Sequence, residues 1–336
     1  MRVALVGAGM LEIPPRDYGA VEKHIWNLAQ ALERRGHEVR IVNKVFGPAS
    51  KDEYRFALWA RKEAAREPHD VLHVHTPGVA AVFQALGPRG FVYTTHSRHW
   101  AGASSPGERI GFFLERRAVS AARETIAVSR FVAQQIPRAT HVVPNGVDVE
   151  RYAPRPNRRG RVVIGVGEVA EHKQWHVAAA AVRDLDAELR VAGPIRDIAY
   201  ANRVEELGGG KARLLGPLSE AELARELGEA DVLAHPSVSE SFGMAVVEGM
   251  SAGLPVVVSD LLSFLVQHGQ QGYLIPTKGS DEERVRSMRE RLGALLADPQ
   301  ARARMGAAAR DTAVREYSWD SVAARVEAVY RKAVTP

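Results

Sequence analysis

The chain has 336 residues, of which 46% are hydrophobic and 25% charged, and it contains no cysteine. The length exceeds that of one typical domain and fits two, and the composition is that of a water-soluble globular protein. Without cysteine, disulfides, thiol nucleophiles and thiolate metal sites are excluded. No hydrophobic run approaches the ~18 residues of a membrane-spanning helix, and the N-terminal run predicts a buried strand rather than a signal peptide. The expected location is cytoplasmic.

The net charge of +5 is unevenly distributed. Residues 1–150 contain 20 Lys and Arg against 15 Asp and Glu, whereas residues 151–336 contain 25 of each kind. A solvated surface is the simpler explanation for so small an excess. The alternative is an acidic acceptor, or peripheral contact of the basic N-terminal half with an anionic membrane surface. No RNA-binding signature or zinc-finger spacing is present, so no nucleic acid is expected as a partner.

Strand and helix patterns alternate through the first half of the chain. Hydrophobic runs predict strands at Arg2–Ala8, Glu38–Asn43, Asp70–His75, Gly90–His96, Glu124–Ser129 and Thr140–Pro144. Helical periodicity lies between them, at Ala20–Arg35, Lys51–Glu67, Gly78–Leu86 and Glu108–Ala122. Strands that alternate with helices of ~10 residues or more predict parallel β-α-β units in a doubly wound sheet.

The second half repeats this plan. Its predicted strands are Arg161–Gly167, Glu188–Gly193, Ala212–Leu215, Asp231–His235, Pro255–Ser259 and Gly272–Ile275. Its predicted helices are Gln174–Leu185, Asp197–Leu207, Ser219–Leu227, Gly243–Ala252, Asp281–Ala297, Pro299–Glu316 and Trp319–Ala333. We therefore expect a second doubly wound sheet.

A segment rich in Pro, Asn, Gly and Arg, residues 144–161, separates the halves. This composition is typical of a linker and predicts a boundary between two Rossmann-like domains. In an open parallel sheet, ligands bind at the carboxyl ends of the strands, near the point where the strand order reverses. With two such sheets, the cleft between the domains is the expected site.

The stretch His235–Asp260 places two carboxylates around the start of a predicted helix. The helix is expected from Gly243 to Ala252, between two buried parallel strands, with Glu240 before it and Glu248 inside it. A helix N-terminus presents free N–H groups to a phosphate, and flanking carboxylates can accept hydrogen bonds from sugar hydroxyls. The arrangement suits a nucleotide sugar, although a solvated helix face produces the same spacing of two glutamates.

The same stretch resembles the donor site of glycosyltransferase family 4, which comprises retaining enzymes of the GT-B fold. The resemblance rests on a Glu-x7-Glu spacing followed by G-M-S-A-G-L-P-V-V. It implies that Glu240 contacts the transferred sugar and that Glu248 contacts the ribose of the nucleotide. It also implies that the backbone amides of Phe242, Gly243 and Met244 face the diphosphate.

The resemblance covers nearly the whole chain and implies an α/β architecture of the GT-B class. This class consists of two Rossmann-like, doubly wound domains that face each other across a cleft. The N-terminal domain, 1–148, would bind the acceptor, and the C-terminal domain, 149–318, would bind the nucleotide-sugar donor. The last helix commonly crosses back in this fold, so residues 319–336 are expected to pack on the N-terminal domain.

The segment Ile13–Val39 resembles the first-domain loop of the family, usually Gly-Gly-x-x-Glu, and the helix that follows it. Gly19 would bring backbone close to the donor phosphate, as a residue without Cβ can. Ala20 stands where the family has its second glycine. The resemblance therefore implies that Gly19 and Ala20 bind the donor.

Three histidines, His73, His75 and His96, lie at or near predicted strand ends. Alternation along a strand puts His73 and His75 on one face, where a structural role is the more common one. The segment T-T-H-S around His96 resembles the family loop that carries a histidine near the reacting sugar. The resemblance implies a catalytic role for His96.

Neither a cofactor nor a metal ion is expected. The glycine-rich turns at Gly7–Gly9 and Gly165–Gly167 do not continue into a complete dinucleotide-binding site. No histidine pair at i, i+4 with a nearby carboxylate predicts a metal site. In the family, a helix N-terminus and cations replace a metal at the leaving diphosphate, so the nucleotide sugar is a co-substrate.

After the first strand of the second domain, the family typically has an arginine and, about five residues later, a lysine. Here Lys173 matches the lysine, which implies a catalytic role, but Glu168 occupies the arginine position. A carboxylate facing a diphosphate costs about 4 kcal/mol at ~4 Å and an effective dielectric constant of ~20. We therefore expect Glu168 to turn away or to pair with a cation. Arg196 is the candidate for that cation, or for a replacement donor phosphate ligand.

These features predict a retaining, metal-independent glycosyltransferase of the hexosyltransferase type. It would move a sugar from a nucleotide-sugar donor to an unknown acceptor hydroxyl. The alternative is a catalytically impaired nucleotide-sugar-binding or scaffold protein with the same fold. The reason for considering it is Glu168, a carboxylate at the position where the family has an arginine. An epimerase or phosphorylase with a GT-B fold is a third interpretation, because fold alone does not decide among these functions.

Overall fold

The computed structural model describes residues 1–15, 19–47, 49–87, 90–96, 106–136, 141–156 and 161–335. The chain divides into two compact units. The first comprises Met1–Gly146 together with Trp319–Pro336, and the second comprises Val147–Ser318. Thr140 of the predicted sixth strand and residues 157–160 of the predicted linker lie outside the described residues. Across the ranges described, no helix has both the length and the apolar character needed to cross a membrane.

The first unit is built on a parallel sheet. Its strands are β1 (Arg2–Val6), β2 (Glu38–Val42), β3 (Val71–Val74), β4 (Val92–Thr95), β5 (Glu124–Ala127) and β6 (His141–Val142). Their order is β2-β1-β3-β4-β5-β6, and each neighbouring pair is parallel. The strand order reverses between β1 and β3, so the carboxyl ends of these two strands flank the expected binding position of this unit.

Helices cover this sheet. They are α1 (Ala20–Arg34), α2 (Ser50–Ala64), α3 (Pro77–Leu86), α4 (Pro106–Ala121), α5 (Arg130–Gln135) and, at the end of the chain, α12 (Trp319–Val334). The helix α12 packs against α1 and the sheet, because its apolar face, including Val322, Val326 and Tyr330, belongs to the same buried core as Leu28 and Leu5. The C-terminal helix is therefore a structural part of the first unit.

The second unit contains another parallel sheet. Its strands are β7 (Val162–Val166), β8 (Glu188–Ala192), β9 (Ala212–Gly216), β10 (Val232–His235), β11 (Val256–Ser259) and β12 (Gly272–Ile275). Their order is β12-β11-β10-β7-β8-β9, again with parallel neighbours. The order reverses between β7 and β10, which makes the loops after these two strands the expected ligand-binding position.

The helices of the second unit are α6 (Trp175–Arg183), α7 (Ile198–Gly208), α8 (Glu220–Glu229), α9 (Met244–Ser251), α10 (Asp281–Ala297) and α11 (Pro299–Thr312). Local sequence explains where several of them begin. Ser219 and Ser280 cap α8 and α10, and in each case a glutamate three residues later completes a capping box. The doubly wound class predicted from the alternation of strands and helices is confirmed in both units.

Three local features differ from the sequence-based expectation. The helix α5 was not predicted, because six residues are too few to establish helical periodicity; Ser129 caps it by accepting a hydrogen bond from Val132 N–H. The helix expected from Gln174 begins one residue later, because Gln174 has a left-handed φ of 57°. The helix expected over Pro299–Glu316 ends at Thr312 and continues as a short π-helix.

Candidate functional site

The loops after β7 and β10 meet at the point where the strand order of the second sheet reverses. The backbone N–H of Val238 donates to the carbonyl oxygen of His172 at 3.0 Å. The Ser237 hydroxyl donates to the same oxygen at 3.2 Å. These bonds fix the two loops to each other, so the side chains that the loops carry are held in one place.

Glu240 and Lys173, both predicted as site residues, are in contact here. The Lys173 ammonium bonds Glu240 Oε1, and their side chains are only 13% and 10% exposed. Removing one partner of a buried ion pair costs about 3–5 kcal/mol, because the other charge stays buried. The pair therefore holds both groups in one geometry.

His235, the last residue of β10, is a further member of this site that sequence reasoning missed. Its Nε2 donates to Glu240 Oε1 at 2.8 Å, which assigns the proton to Nε2. Burial by itself would raise the pKa of Glu240, but the His235 hydrogen bond and the Lys173 charge hold that pKa far below its usual range. Glu240 is thus a carboxylate at any physiological pH. The position of His235 at the carboxyl end of a buried strand was the signal that could have identified it.

The helix α9 begins directly after this carboxylate. Gly243 is its N-cap, with a left-handed φ of 96° and no side chain capping the helix. A Cβ at this position would lie 3.1 Å from side-chain carbons of Leu262 and Leu265, so both backbone angle and space favour glycine. The first intrahelical bonds run from Val246 and Val247 N–H to Gly243 O. The amides that precede them are those that a helix N-terminus leaves for a ligand.

The other predicted donor residues of this stretch occupy α9 and its approach. Glu248 lies half-buried in α9. The side chain of Phe242 is buried against the rings of Tyr317 and Phe264, with centroid distances of 5.8 and 6.5 Å. Phe242 therefore offers only its backbone to a ligand. Met244 is the first residue of α9.

Glu168 is paired with a cation, as expected. Its Oε2 accepts a hydrogen bond from Arg196 Nε at 3.2 Å, and its Oε1 lies 3.3 Å from His172 Nε2. The prediction that Arg196 partners Glu168 is confirmed. The unfavourable charge of a carboxylate at the usual arginine position is thereby offset within the site.

Arg284 of α10 is a second residue that sequence reasoning missed. It is 4% exposed and bonds three loops at the carboxyl edge of the sheet. Its guanidinium donates to Pro236 O at 3.0 Å and to Pro276 O at 3.4 Å, and it also contacts the Gln174 side chain. Arg284 is therefore a positioning residue for the loops after β7, β10 and β12. No local pattern indicates it, because it is one of several arginines in a charged helix.

In the first unit, His73 is a structural histidine. It is fully buried, with Nδ1 2.7 Å from the Tyr330 hydroxyl and Nε2 2.7 Å from Thr94 Oγ1. Burial lowers its pKa to about 3, so the ring is neutral. His73 thus links the sheet to α12.

His75 and His96 lie next to each other, and His24 of α1 joins them. His75 Nδ1 is 3.3 Å from His96 Nε2, and the His24 ring centroid is 4.8 Å from that of His96. Burial lowers the pKa of His96 to about 4; burial and the neighbouring histidines hold those of His24 and His75 well below the usual value. His24 was not predicted, because it comes from a helix more than 50 residues away in sequence.

Gly19 and Ala20 lie at the start of α1. Gly19 is its N-cap with a φ of 138°, and a Cβ there would come within 2.9 Å of Glu22 Oε2. Ala20 is the exposed first residue of the helix. Residues 16–18 of the preceding loop lie outside the described ranges.

Comparison with known proteins identifies the class. A profile described as Glycosyltransferase Family 4 matches residues 21–151, and one described as Glycosyl transferases group 1 matches residues 148–312. The phosphatidyl-myo-inositol mannosyltransferase of Mycolicibacterium smegmatis is 28% identical over 98% of this chain and 93% of its own length. The D-inositol 3-phosphate glycosyltransferase of Corynebacterium glutamicum is 34% identical over 59% of this chain and 53% of its own.

Solved structures agree on the fold. Sucrose-phosphate synthase from Thermosynechococcus elongatus superposes with a TM-score of 0.81 at 19% identity, covering 98% of both chains. An Anabaena protein solved with UDP-glucose superposes with a TM-score of 0.75 at 18% identity, covering 99% of this chain and 100% of that one.

The two profiles, the relatives and the fold identify a glycosyltransferase of the GT-B class, which transfers a sugar from a nucleotide-sugar donor. The chain belongs to glycosyltransferase family 4. The family and the GT-B fold class expected from the Glu-x7-Glu stretch are confirmed. No observation favours the catalytically impaired alternative. The reason for considering it was the negative charge of Glu168, and Arg196 pairs with that charge.

Proposed function

We propose that this enzyme is a retaining, metal-independent hexosyltransferase that passes the sugar to an acceptor hydroxyl. The observation that carries the proposal is the buried Glu240 carboxylate, bonded by Lys173 and His235 and followed at once by the uncapped N-terminus of α9. A cation, a helix N-terminus and an ionised carboxylate side by side suit a sugar joined to a diphosphate.

Glu240 is proposed to hold the transferred sugar. Both of its bonds to protein groups are made by Oε1, so Oε2 keeps its capacity to accept hydrogen bonds from sugar hydroxyls. A carboxylate in a fixed position orients the sugar and stabilises positive charge that develops at its anomeric carbon. The acceptor hydroxyl would attack on the face from which the diphosphate leaves, which retains the configuration.

Lys173 is proposed to stabilise the leaving diphosphate. An ammonium has three donor protons, and one of them serves Glu240. The others, with the amides of Phe242, Gly243 and Met244, would bond the phosphate oxygens as negative charge develops on them. This set supplies the charge that a divalent metal supplies in other transferases.

Arg196 is proposed as the second cation of the phosphate site. Its side chain is 56% exposed and bonds Glu168 through Nε, so the other guanidinium N–H groups can bond a phosphate oxygen while Glu168 stays paired. In the first unit, Gly19, Ala20 and His96 are proposed as donor contacts on the family resemblance alone.

Stereochemistry and metal dependence test the proposal directly. Proton NMR of the anomeric signal in the first-formed product is expected to show the configuration of the donor. Activity is expected to persist in excess EDTA, because the charges at the leaving group are protein groups. An inverted product would refute the retaining assignment. Loss of activity in chelator, restored by a divalent ion, would refute metal independence.

Glu248 is proposed to bind the ribose of the nucleotide. The Glu248→Ala variant is expected to bind nucleoside diphosphate about 10–150-fold more weakly, which corresponds to the 1.5–3 kcal/mol of hydrogen bonds to a charged group. Because Glu248 is half-buried on a helix, the fold should survive the change. Calorimetric titration with uridine, guanosine and adenosine diphosphates measures the effect.

Glu205→Ala is the matched control for this experiment. Glu205 is an exposed glutamate of α7 in the same unit. Replacing it with alanine changes the net charge and the helix propensity by the same amount as Glu248→Ala does. If the Glu248 variant binds the diphosphates as tightly as the Glu205 variant does, the ribose assignment is wrong.

A further inference from the structure

Three histidines of the first unit converge although they are far apart in sequence. His24 comes from α1, His75 follows β3 and His96 follows β4. One ring nitrogen of each lies within 4.8 Å of those of the other two. His24 and His75 are buried, at 8% and 2% exposure, and His96 is half-buried.

The separation between two of these nitrogens fits a shared metal ion as well as it fits a weak hydrogen bond. His75 Nδ1 and His96 Nε2 are 3.3 Å apart, at the long end for an N–H donor and its acceptor. Two imidazole nitrogens bound to tetrahedral zinc at about 2.0–2.1 Å lie about 3.3–3.4 Å from each other. The His24 nitrogen lies within 4.8 Å of the other two and would have to move closer to complete the coordination.

Other ring nitrogens of this cluster lack an ordinary hydrogen bond. Among the residues that the structure describes, His24 Nδ1 and His75 Nε2 are buried without a hydrogen bond of ordinary geometry, although the Asn145 side chain lies beside His24. Each unpaired buried group costs about 1–3 kcal/mol, and an unplaced ion or water is one of the few ordinary explanations for it. An ion bound by His24 Nδ1 would give that nitrogen a partner. His75 Nε2 would need a separate partner such as a water, because His75 faces His96 through Nδ1.

The neighbouring His73 differs in this respect. Its ring centroid is 4.1 Å from that of His75, yet both of its nitrogens are bonded, to Tyr330 and to Thr94. His73 therefore supports the cluster by packing and offers no lone pair to a ligand. It provides a natural control within the same cluster.

We propose that His24, His75 and His96 form a binding site for a divalent transition-metal ion of the zinc type. The ion would take one nitrogen from each ring and keep its fourth position for water. Imidazole ligands select zinc, copper, nickel or cobalt over magnesium and calcium, which prefer oxygen.

The site has a consequence that rests on the proposed function of His96. If His96 contacts the donor sugar, an ion that takes its ring nitrogen competes with the donor. Zinc would then inhibit a transfer reaction that needs no metal for its chemistry.

Binding is tested without any measurement of transfer. Metal-free protein is titrated with Co²⁺, followed by the visible absorption of tetrahedral Co²⁺, and with Zn²⁺ in a calorimeter. One ion per chain is expected. Affinity should fall at least about tenfold in His24→Gln and in His75→Gln and should stay within about twofold in His73→Gln and in the surface control His69→Gln.

Two results would overturn the site: no binding to the parent, or equal loss of affinity in all four variants. Melting temperatures measured with Zn²⁺ and with chelator separate loss of the ligand from a folding defect. Zn²⁺ should raise the melting temperature of the parent, because it binds only the folded state. A variant that folds but lacks the site should melt at the same temperature in both conditions. Zinc inhibition of the parent, relieved in His75→Gln, is expected in addition. Zinc binding without inhibition would refute the proposed contact of His96 with the donor and leave the metal site standing.

Discussion

Glu240→Gln is expected to reduce the turnover number by at least about 100-fold and to leave nucleoside diphosphate affinity within about threefold of the parent. Glutamine keeps the size of the side chain and loses the negative charge that faces the sugar. Losing one electrostatic contact to a transition state typically costs 10²–10³-fold in rate. Steady-state kinetics and calorimetric titration measure the two effects separately.

Two further variants make this result specific. Glu171→Gln removes a carboxylate from the turn that carries Lys173, where the Glu171 side chain is 60% exposed, so its turnover should match the parent. Glu240→Gln leaves Lys173 buried without a counter-charge, and stability should fall by about 3 kcal/mol. Adding Lys173→Met should restore most of that stability without restoring activity. A single Glu240 variant that turns over within threefold of the parent would exclude Glu240 as a catalytic residue.

The second large effect is loss of stability in mild acid. The pKa of His73 is lowered to about 3 and that of His96 to about 4, both by burial. Between about pH 6.5 and these values, the unfolded chain binds protons that the folded chain excludes, so stability is full above pH 6.5 and falls below it. Each such histidine contributes up to about 1.4 kcal/mol per pH unit. Because the unfolded ring is only half-protonated at pH 6.5, the full slope is reached below that pH, and the pair loses about 4.5 kcal/mol between pH 6.5 and 4.5.

Urea unfolding at pH 7.5, 6.5, 5.5 and 4.5, with chelator present, measures this loss. Native-state hydrogen exchange should place it in the first unit, at the amides of β3 and β4. The His73→Gln variant should be less stable at neutral pH but lose about 1.4 kcal/mol less per pH unit in acid, whereas His69→Gln should follow the parent. Identical acid slopes for parent and His73→Gln would contradict the assignment of a buried neutral ring.

The architecture was predictable because its signals are local. A parallel strand that is buried on both faces appears in the sequence as a short hydrophobic run. Capping residues such as Ser219 and Ser280 indicate where helices begin. The errors in the predicted elements are also local. The helix α5 is too short to show helical periodicity, and no sequence pattern indicates that Gln174 takes a left-handed conformation.

The site was predictable only in part. Glu240 and Glu248 are spaced along one loop and helix, so the motif that carries them is continuous in sequence. Glu168 raised the question of a missing cation, and Arg196 was found because both follow strands that end at the same sheet edge. His235 and Arg284 were missed. The position of His235 at a strand end was its one linear signal, whereas the hydrogen bonds that tie Arg284 to loops far away in sequence leave no trace in spacing.

By itself, the sequence determined the two doubly wound units, the nucleotide-sugar chemistry and the stretch that carries it. Hydrophobic period, caps and a contiguous motif act over a few residues, and each can be read without knowing the fold. Only the tertiary structure decided that Lys173 and His235 hold Glu240 ionised and that His24 joins His75 and His96. These groups lie 5 to 72 residues apart along the chain, and the parallel order of the strands brings them together because carboxyl ends of neighbouring strands share one edge of a sheet.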